Sequence, residues 1–431
     1  MEALQSIMIG RQIRDRVLPY REHIQTLSVL VFANGIAAAA GWLTLVYIAN
    51  TLGRELFGQV AFAVAIGTFG QVFIRIGLDR TLVRDLIHHP ERFSDLVQGS
   101  LYLRYLLALI MLCGLLIWKF LNQESPLGWG IVLIAMGSSM LSLDLQPVYD
   151  VWQKMRRHTV YFLFYRACYL SLIWAVLLFF RNNLSVLWIG IATLISVVFY
   201  LVLQHRWALQ RMENEPKKSF VELTGSMKWI MQNNLLVWIS AILGLVIVML
   251  NQPLLQRLAG FSELGVYAAA WQLVMVGILL IDQISRIGRP AAARITKPGV
   301  PPSKQMRFLL QYTAVMAGIV MPLAAVMVFF PETVITLFFK PEYHDATNIL
   351  PLLGVYLLLL SIGMVLSQFI LSARLERAYF ISVMIGGALS FGLTPLFIMQ
   401  FGIVGAALAL LISHGSVFMS YLFSTMRHVC R

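Results

Sequence analysis

Arg75, Arg104 and Arg166 each lie inside a run of apolar residues. A charge at the centre of a membrane helix costs roughly 2.5–3.5 kcal/mol unless it reaches water or a partner. A guanidinium presents a planar fork of N–H donors that can hold two phosphate oxygens at once. Three such forks, all in the first half of the chain and near the same end of their segments, predict a cationic collar at the mouth of a cavity. Its expected ligand is an anion with several oxygens, such as a phosphate group. The competing expectation is that each arginine snorkels back to the headgroups.

Other polar residues in these runs extend the pattern. Thr68, Gln71, Arg75 and Asp79 recur at helical spacing and share one face, as expected of a cavity wall. Trp271, Met275, Ile278 and Asp282 do the same, so Trp271 either stacks on a sugar ring or packs in a core. The candidate substrate-binding residues are therefore Arg75, Arg104, Arg166, Gln71 and Trp271. Asp144, Asp282 and His414 are candidates for carrying a coupling proton, or else for buried ion pairs and hydrogen bonds. Ser138, Ser139, Ser142, Asn233 and Asn234 either line the cavity or join helices. No CxxC, HExxH, nucleotide loop or dinucleotide fingerprint occurs. Cys113, Cys168 and Cys430 have neither disulfide nor metal spacing. No catalytic residue, metal or cofactor is expected, and no nucleic acid.

The elements that carry these residues follow from composition. Of 431 residues, 59% are hydrophobic and 12% charged, against about 25% charged in a soluble chain. Apolar segments near the roughly 20-residue length of a membrane span occur at 27–49, 56–78, 99–120, 127–146, 160–180, 184–204, 229–250, 265–287, 308–330, 348–371, 378–398 and 402–424. The fold class expected is an all-α polytopic membrane protein of about twelve transmembrane helices. Residues 1–26 read as a basic arm, 27–204 as one six-helix lobe, 205–228 as a basic linker, 229–424 as a second lobe and 425–431 as a tail. Of the 33 Lys and Arg residues, only Arg54, Lys119, Arg181, Arg257 and Lys340 fall on the side opposite the N-terminus, with Arg75, Arg104 and Arg166 inside segments. That bias predicts both termini in the cytoplasm, and it accounts for most of the +13 net charge as contact with anionic lipid.

An internal repeat ties the halves together. "TLGRELFGQVAFAVA" (51–65) and "LAGFSELGVYAAAWQ" (258–272) share a glycine pair, Gly53/Gly58 and Gly260/Gly265, ahead of an alanine-rich helix. With six segments per half the repeats are parallel, about an axis along the membrane normal, with the cavity at their interface. The same offset sets Asp282 opposite Arg75.

These stretches, with "GLDRTLVRDL" (77–86), "YDVWQKMRRHTVYF" (149–162) and "FGIVGAALALLIS" (401–413), resemble the polysaccharide repeat-unit flippases. Those proteins belong to the superfamily of multidrug, oligosaccharidyl-lipid and polysaccharide exporters. The resemblance runs from about Leu27 to Leu422. It implies two lobes around a central cavity, a bacterial inner-membrane location, and transport of undecaprenyl-pyrophosphate-linked oligosaccharide by alternating access. Polymerase and glycosyltransferases of the same pathway are the implied partners. A drug exporter of the superfamily is the first alternative, disfavoured because segment 27–49 has no acid. A membrane polymerase or ligase is the second, disfavoured because the longest external loop, 331–347, is too short for a catalytic domain.

Overall fold

In lipid a backbone must satisfy its own hydrogen bonds, and apolar segments of this length do so as helices. The computed structural model describes residues 2–78, 82, 86, 92–121, 128–152, 154–180, 185–211, 220–297 and 299–430, with side chains from residue 35 onward except 37, 220, 221, 286, 287 and 290. Among the described residues there is no strand. The helices are α1 (Glu2–Arg75), α2 (Phe93–Leu121), α3 (Trp129–Met140), α4 (Gln146–Val151), α5 (Met155–Phe179), α6 (Val186–Arg211), α7 (Phe220–Met249), α8 (Asn251–Ala259), α9 (Phe261–Ile295), α10 (Pro302–Phe329), α11 (Pro331–Phe338), α12 (Leu350–Ser372) and α13 (Glu376–Val429). Short 3-10 turns join α3 to α4 and α11 to α12.

Among the described residues, 10 stretches are long and apolar enough to span a membrane, against the twelve segments expected. Two of them each cover a pair of expected segments. α1 bends at Gly53 (φ 76°) and α13 at Gly402 (φ 57°), a left-handed backbone that glycine adopts without strain. The helices also outrun their apolar segments. α5 begins at Met155, α6 continues to Arg211 and α9 to Ile295, because a helix persists through the headgroup layer where Arg and Lys are soluble. The residues expected as a basic arm, 2–26, continue α1 without a break.

Within each half the helices pack side by side: α3 on α6, α6 on α5 and the second limb of α1 on α3; then α12 on α10, α13 and α9. The halves meet along α1 with α9 and α2 with α7, and α1 also touches α7, α8 and the Pro341–Asn348 turn. One end of the bundle, the linker end, is where α6 stops and α7 starts. The other, the cap end, carries α11 and the Pro341–Asn348 turn.

The repeat is written into the cap end. Gly260 (φ 93°, ψ 176°) has the same backbone as Gly53 (φ 76°, ψ 167°), and each launches a helix that runs back across the bundle. The two launched helices cross in backbone contact. A β-carbon on Gly58 would collide with the Phe261 carbonyl, and one on Gly265 would collide with the Arg54 carbonyl. These contacts are images of each other under the repeat, so the pseudo-two-fold axis passes between α9 and the second limb of α1.

Candidate functional site

A cavity of about 770 Å³ lies between the halves. Its two walls differ in chemistry. The first-half wall comes from the α3–α4 corner and from α5: Asp144, Gln146, His158, Thr159, Phe162 and Arg166. The second-half wall is apolar but for Gln283, with Leu273, Val276, Leu279 and Leu280 of α9, Leu323 of α10 and Phe338 of α11. The first limb of α1 supplies Gly35, Ala38, Ala39 and Trp42 between them. Gly35, Ala39, Gln146 and Gln283 are exposed, so the cavity is open towards the linker end.

The cap end is closed. The Trp42 ring meets Phe338 edge-on at 5.0 Å, and its indole N–H donates to the Gln272 carbonyl at 2.9 Å. The Asn50 side chain donates to the Phe338 carbonyl (2.7 Å) and accepts from the Lys340 N–H (2.9 Å). The Tyr343 hydroxyl donates to the Ala49 carbonyl at 2.7 Å. Burial pushes that hydroxyl well above its ordinary range, so it stays a donor.

The polar wall exists because α3 stops. After Met140 the chain makes a 3-10 turn and restarts at Gln146, leaving carbonyls without helical partners. Arg104 supplies the missing donors: its Nη1 lies 3.0 Å from the Asp144 carbonyl and 3.4 Å from that of Ser142. Asp144 then turns its carboxylate towards the cavity. Its Oδ1 takes the Gln146 N–H (2.9 Å) and faces His158 Nε2 (2.8 Å), while Oδ2 accepts from the Tyr200 hydroxyl (3.0 Å). Two turns further along α5, Arg166 stands over the Phe162 ring at 5.2 Å, with its Nη1 beside Gly41 of α1. Among the described residues Arg166 has no ion-pair partner.

The three arginines of the expected collar do not converge. Arg166 lines the cavity. Arg104 is 2% exposed and lies behind the wall, and Arg75 is half-buried at the end of α1, away from the lining. Depth differs from expectation too. Arg166 is near the middle of its 25-residue helix, since α5 begins five residues before its apolar segment does.

The remaining expected residues scatter. Gln71 and Asp282 are half-buried and do not line the cavity, and Asp79 lies outside the described residues. Trp271 is 4% exposed and packs between Tyr267 and Tyr356, the core position rather than the sugar-stacking one. His414 borders a separate cavity of about 610 Å³ inside the second half, its ring 5.1 Å from Tyr356. Ser139 donates to the Gly67 carbonyl of α1 as well as to that of Ala135 and so joins two helices, whereas the Ser142 hydroxyl bonds only back to Ser139. Sequence reasoning missed His158, Thr159 and Phe162. Their signal was the stripe His158–Phe162–Arg166, four residues apart each time, hidden because "MRRH" reads as loop.

Comparison with known proteins places these features. The model of a family described as polysaccharide biosynthesis protein matches residues 24–286, well over half of the chain. The capsular polysaccharide biosynthesis protein CapF of Staphylococcus aureus is 23% identical over 411 residues, covering 93% of this chain and 98% of its own. Among solved structures, the lipid II flippase MurJ in an inward closed conformation superposes with a TM-score of 0.70 at 13% identity, over 92% of this chain and 87% of its own. An inward-facing multidrug resistance transporter of the MATE family gives 0.62 at 16% identity, over 91% and 94%. The chain shares the two-lobed fold of both.

Proposed function

Because the chain belongs to the polysaccharide biosynthesis protein family, we propose that it is a flippase for lipid-linked oligosaccharide repeat units, carried on undecaprenyl pyrophosphate. It works in the bacterial inner membrane, with the linker end and both termini in the cytoplasm. The observation that carries this reading is the two-sided cavity. A polar wall with Arg166, Asp144, His158 and Gln146 faces an apolar wall from α9 and α10, and an amphiphile needs both at once. The guanidinium of Arg166 suits a pyrophosphate, while the hydroxyl-bonding groups suit sugars. A glycolipid made in the cytoplasm loads at the open linker end, and rocking of the lobes then opens the cap. A cationic drug finds no unpaired carboxylate in this lining, since Asp144 is engaged by His158 and Tyr200.

The test is reconstitution. Proteoliposomes carry a pyrophosphate-linked trisaccharide in one leaflet, and an impermeant oxidant reports its arrival in the other. Protein-dependent arrival is expected. Ethidium transport without glycolipid transport would identify a drug exporter instead. In cells, deletion should leave no repeat units on the surface, whereas loss of a polymerase leaves single units there.

A further inference from the structure

Outside the cavity, at the linker end, two arginines close on one indole. Arg157 in the first turn of α5 holds its guanidinium carbon 4.8 Å from the Trp207 ring centroid. Arg211, the last residue of α6, sits 5.6 Å from the same ring and 5.4 Å from that of Trp152. The rings brace one another: Tyr149 stacks on Trp207 at 4.8 Å, and Trp152 meets Trp207 edge-on at 5.6 Å.

A guanidinium over a ring is held through its face, which leaves its in-plane N–H donors pointing outward. Both arginines are exposed, and among the described residues neither guanidinium has a hydrogen bond or an ion pair. Arginines that merely snorkel are free to move. Here much of the side-chain entropy lost on binding an anion has already been removed by stacking. The surface next to them is apolar. Val160 and Phe164, on the turns of α5 after Arg157, are 52% and 54% exposed, and Phe164 meets Phe199 of α6 at 5.8 Å.

We propose that Arg157, Arg211 and Trp207 form a binding site for the phosphate headgroup of an anionic phospholipid, whose chains lie along Val160, Phe164 and Phe199. A soluble phosphate would have no use for that wall. The site is separate from the cavity and does not depend on what the cavity carries. It adjoins the polar wall, because Arg157 precedes His158, whose ring lies 5.6 Å from Tyr149.

The test uses the purified full chain in a neutral detergent. Phosphatidylglycerol is expected to raise Tm by a few degrees, and phosphatidylcholine or inorganic phosphate to leave it unchanged. R157Q/R211Q should lose most of the increment. R157K/R211K should recover less than half, because an ammonium keeps the charge without the planar fork. K304Q/R307Q, which removes the same charge from exposed positions at the start of α10, should keep all of it. Should R157Q/R211Q fold poorly, the single variant R211Q at the helix end serves, with retained phosphatidylglycerol counted by native mass spectrometry and expected to fall. An increment unchanged in R157Q/R211Q, or lost equally in K304Q/R307Q, overturns the site. Stabilisation by inorganic phosphate alone overturns the lipid as its ligand.

Discussion

Removing the guanidinium of Arg104 should cost the protein stability, and removing that of Arg166 should cost it transport. Arg104 is buried and gives charged hydrogen bonds to the Ser142 and Asp144 carbonyls. Arg104→Ala leaves those acceptors unsatisfied, worth about 2–3 kcal/mol, so membrane levels should fall and the transport per surviving molecule should change less. Among the described residues the Arg166 guanidinium makes no hydrogen bond or ion pair, and it touches the protein through the Phe162 ring and Gly41. Arg166→Ala should insert normally and lose roughly tenfold or more in transport, as expected for a missing charged contact to phosphate. Arg166→Lys should recover part of the rate. Glycolipid flux normalised to membrane protein separates the two residues. Equal flux per molecule in Arg166→Ala and wild type would remove Arg166 from the substrate path. Sequence alone could not tell these arginines apart. Both are single cations in apolar helices, and what divides them is azimuth: one faces the broken end of α3, the other the space between lobes. That direction is set by tertiary packing, which leaves no local mark.

The repeated elements were far more legible. Gly53 and Gly260 could be matched because a positive φ at the start of a helix selects glycine, and Gly58 and Gly265 because two backbones touch there. Both requirements show in the sequence as a residue type at a fixed spacing. They also yield a prediction. A methyl group at Gly58 or Gly265 must push the partner carbonyl away, and such overpacking typically costs about 1–3 kcal/mol. Gly58→Ala and Gly265→Ala should each loosen the closed cap, raising the reactivity of a cysteine placed at the buried Ala49 towards an impermeant thiol reagent. The double variant should show less than the summed effect, since each methyl opens the crossing for the other. Additive effects would mean that the two contacts are independent. The ends of the helices were less legible for an opposite reason. Charged turns such as Arg156–Arg157–His158 are polar by composition yet helical in structure, so hydropathy marked the edge of the hydrocarbon and not the end of the helix. That hid His158, and with it the wall to which Asp144 belongs.

For the whole molecule, the proposed function makes the closed cap and the open linker end one state of a two-state cycle, in which the seam at the cap parts for a cargo to leave. A cysteine pair at Asn50 and Lys340, in a chain whose Cys113, Cys168 and Cys430 are replaced by serine, should form a disulfide on mild oxidation. The oxidised protein should stop transporting and recover when the bond is reduced. Unimpaired transport with the bond formed would show that the cap does not open there.

The way Asn50 holds that seam has a consequence for how such a chain can drift over generations. Both of its bonds go to main chain, the Phe338 carbonyl and the Lys340 N–H, and Tyr343 likewise addresses the backbone of Ala49. Bonds that grip only peptide groups are indifferent to the side chains of the residues they hold, so of these contacts only the edge of Trp42 on Phe338 constrains a partner's side chain. The exposed side chains around these bonds can be rewritten while the main-chain part of the closure keeps its strength.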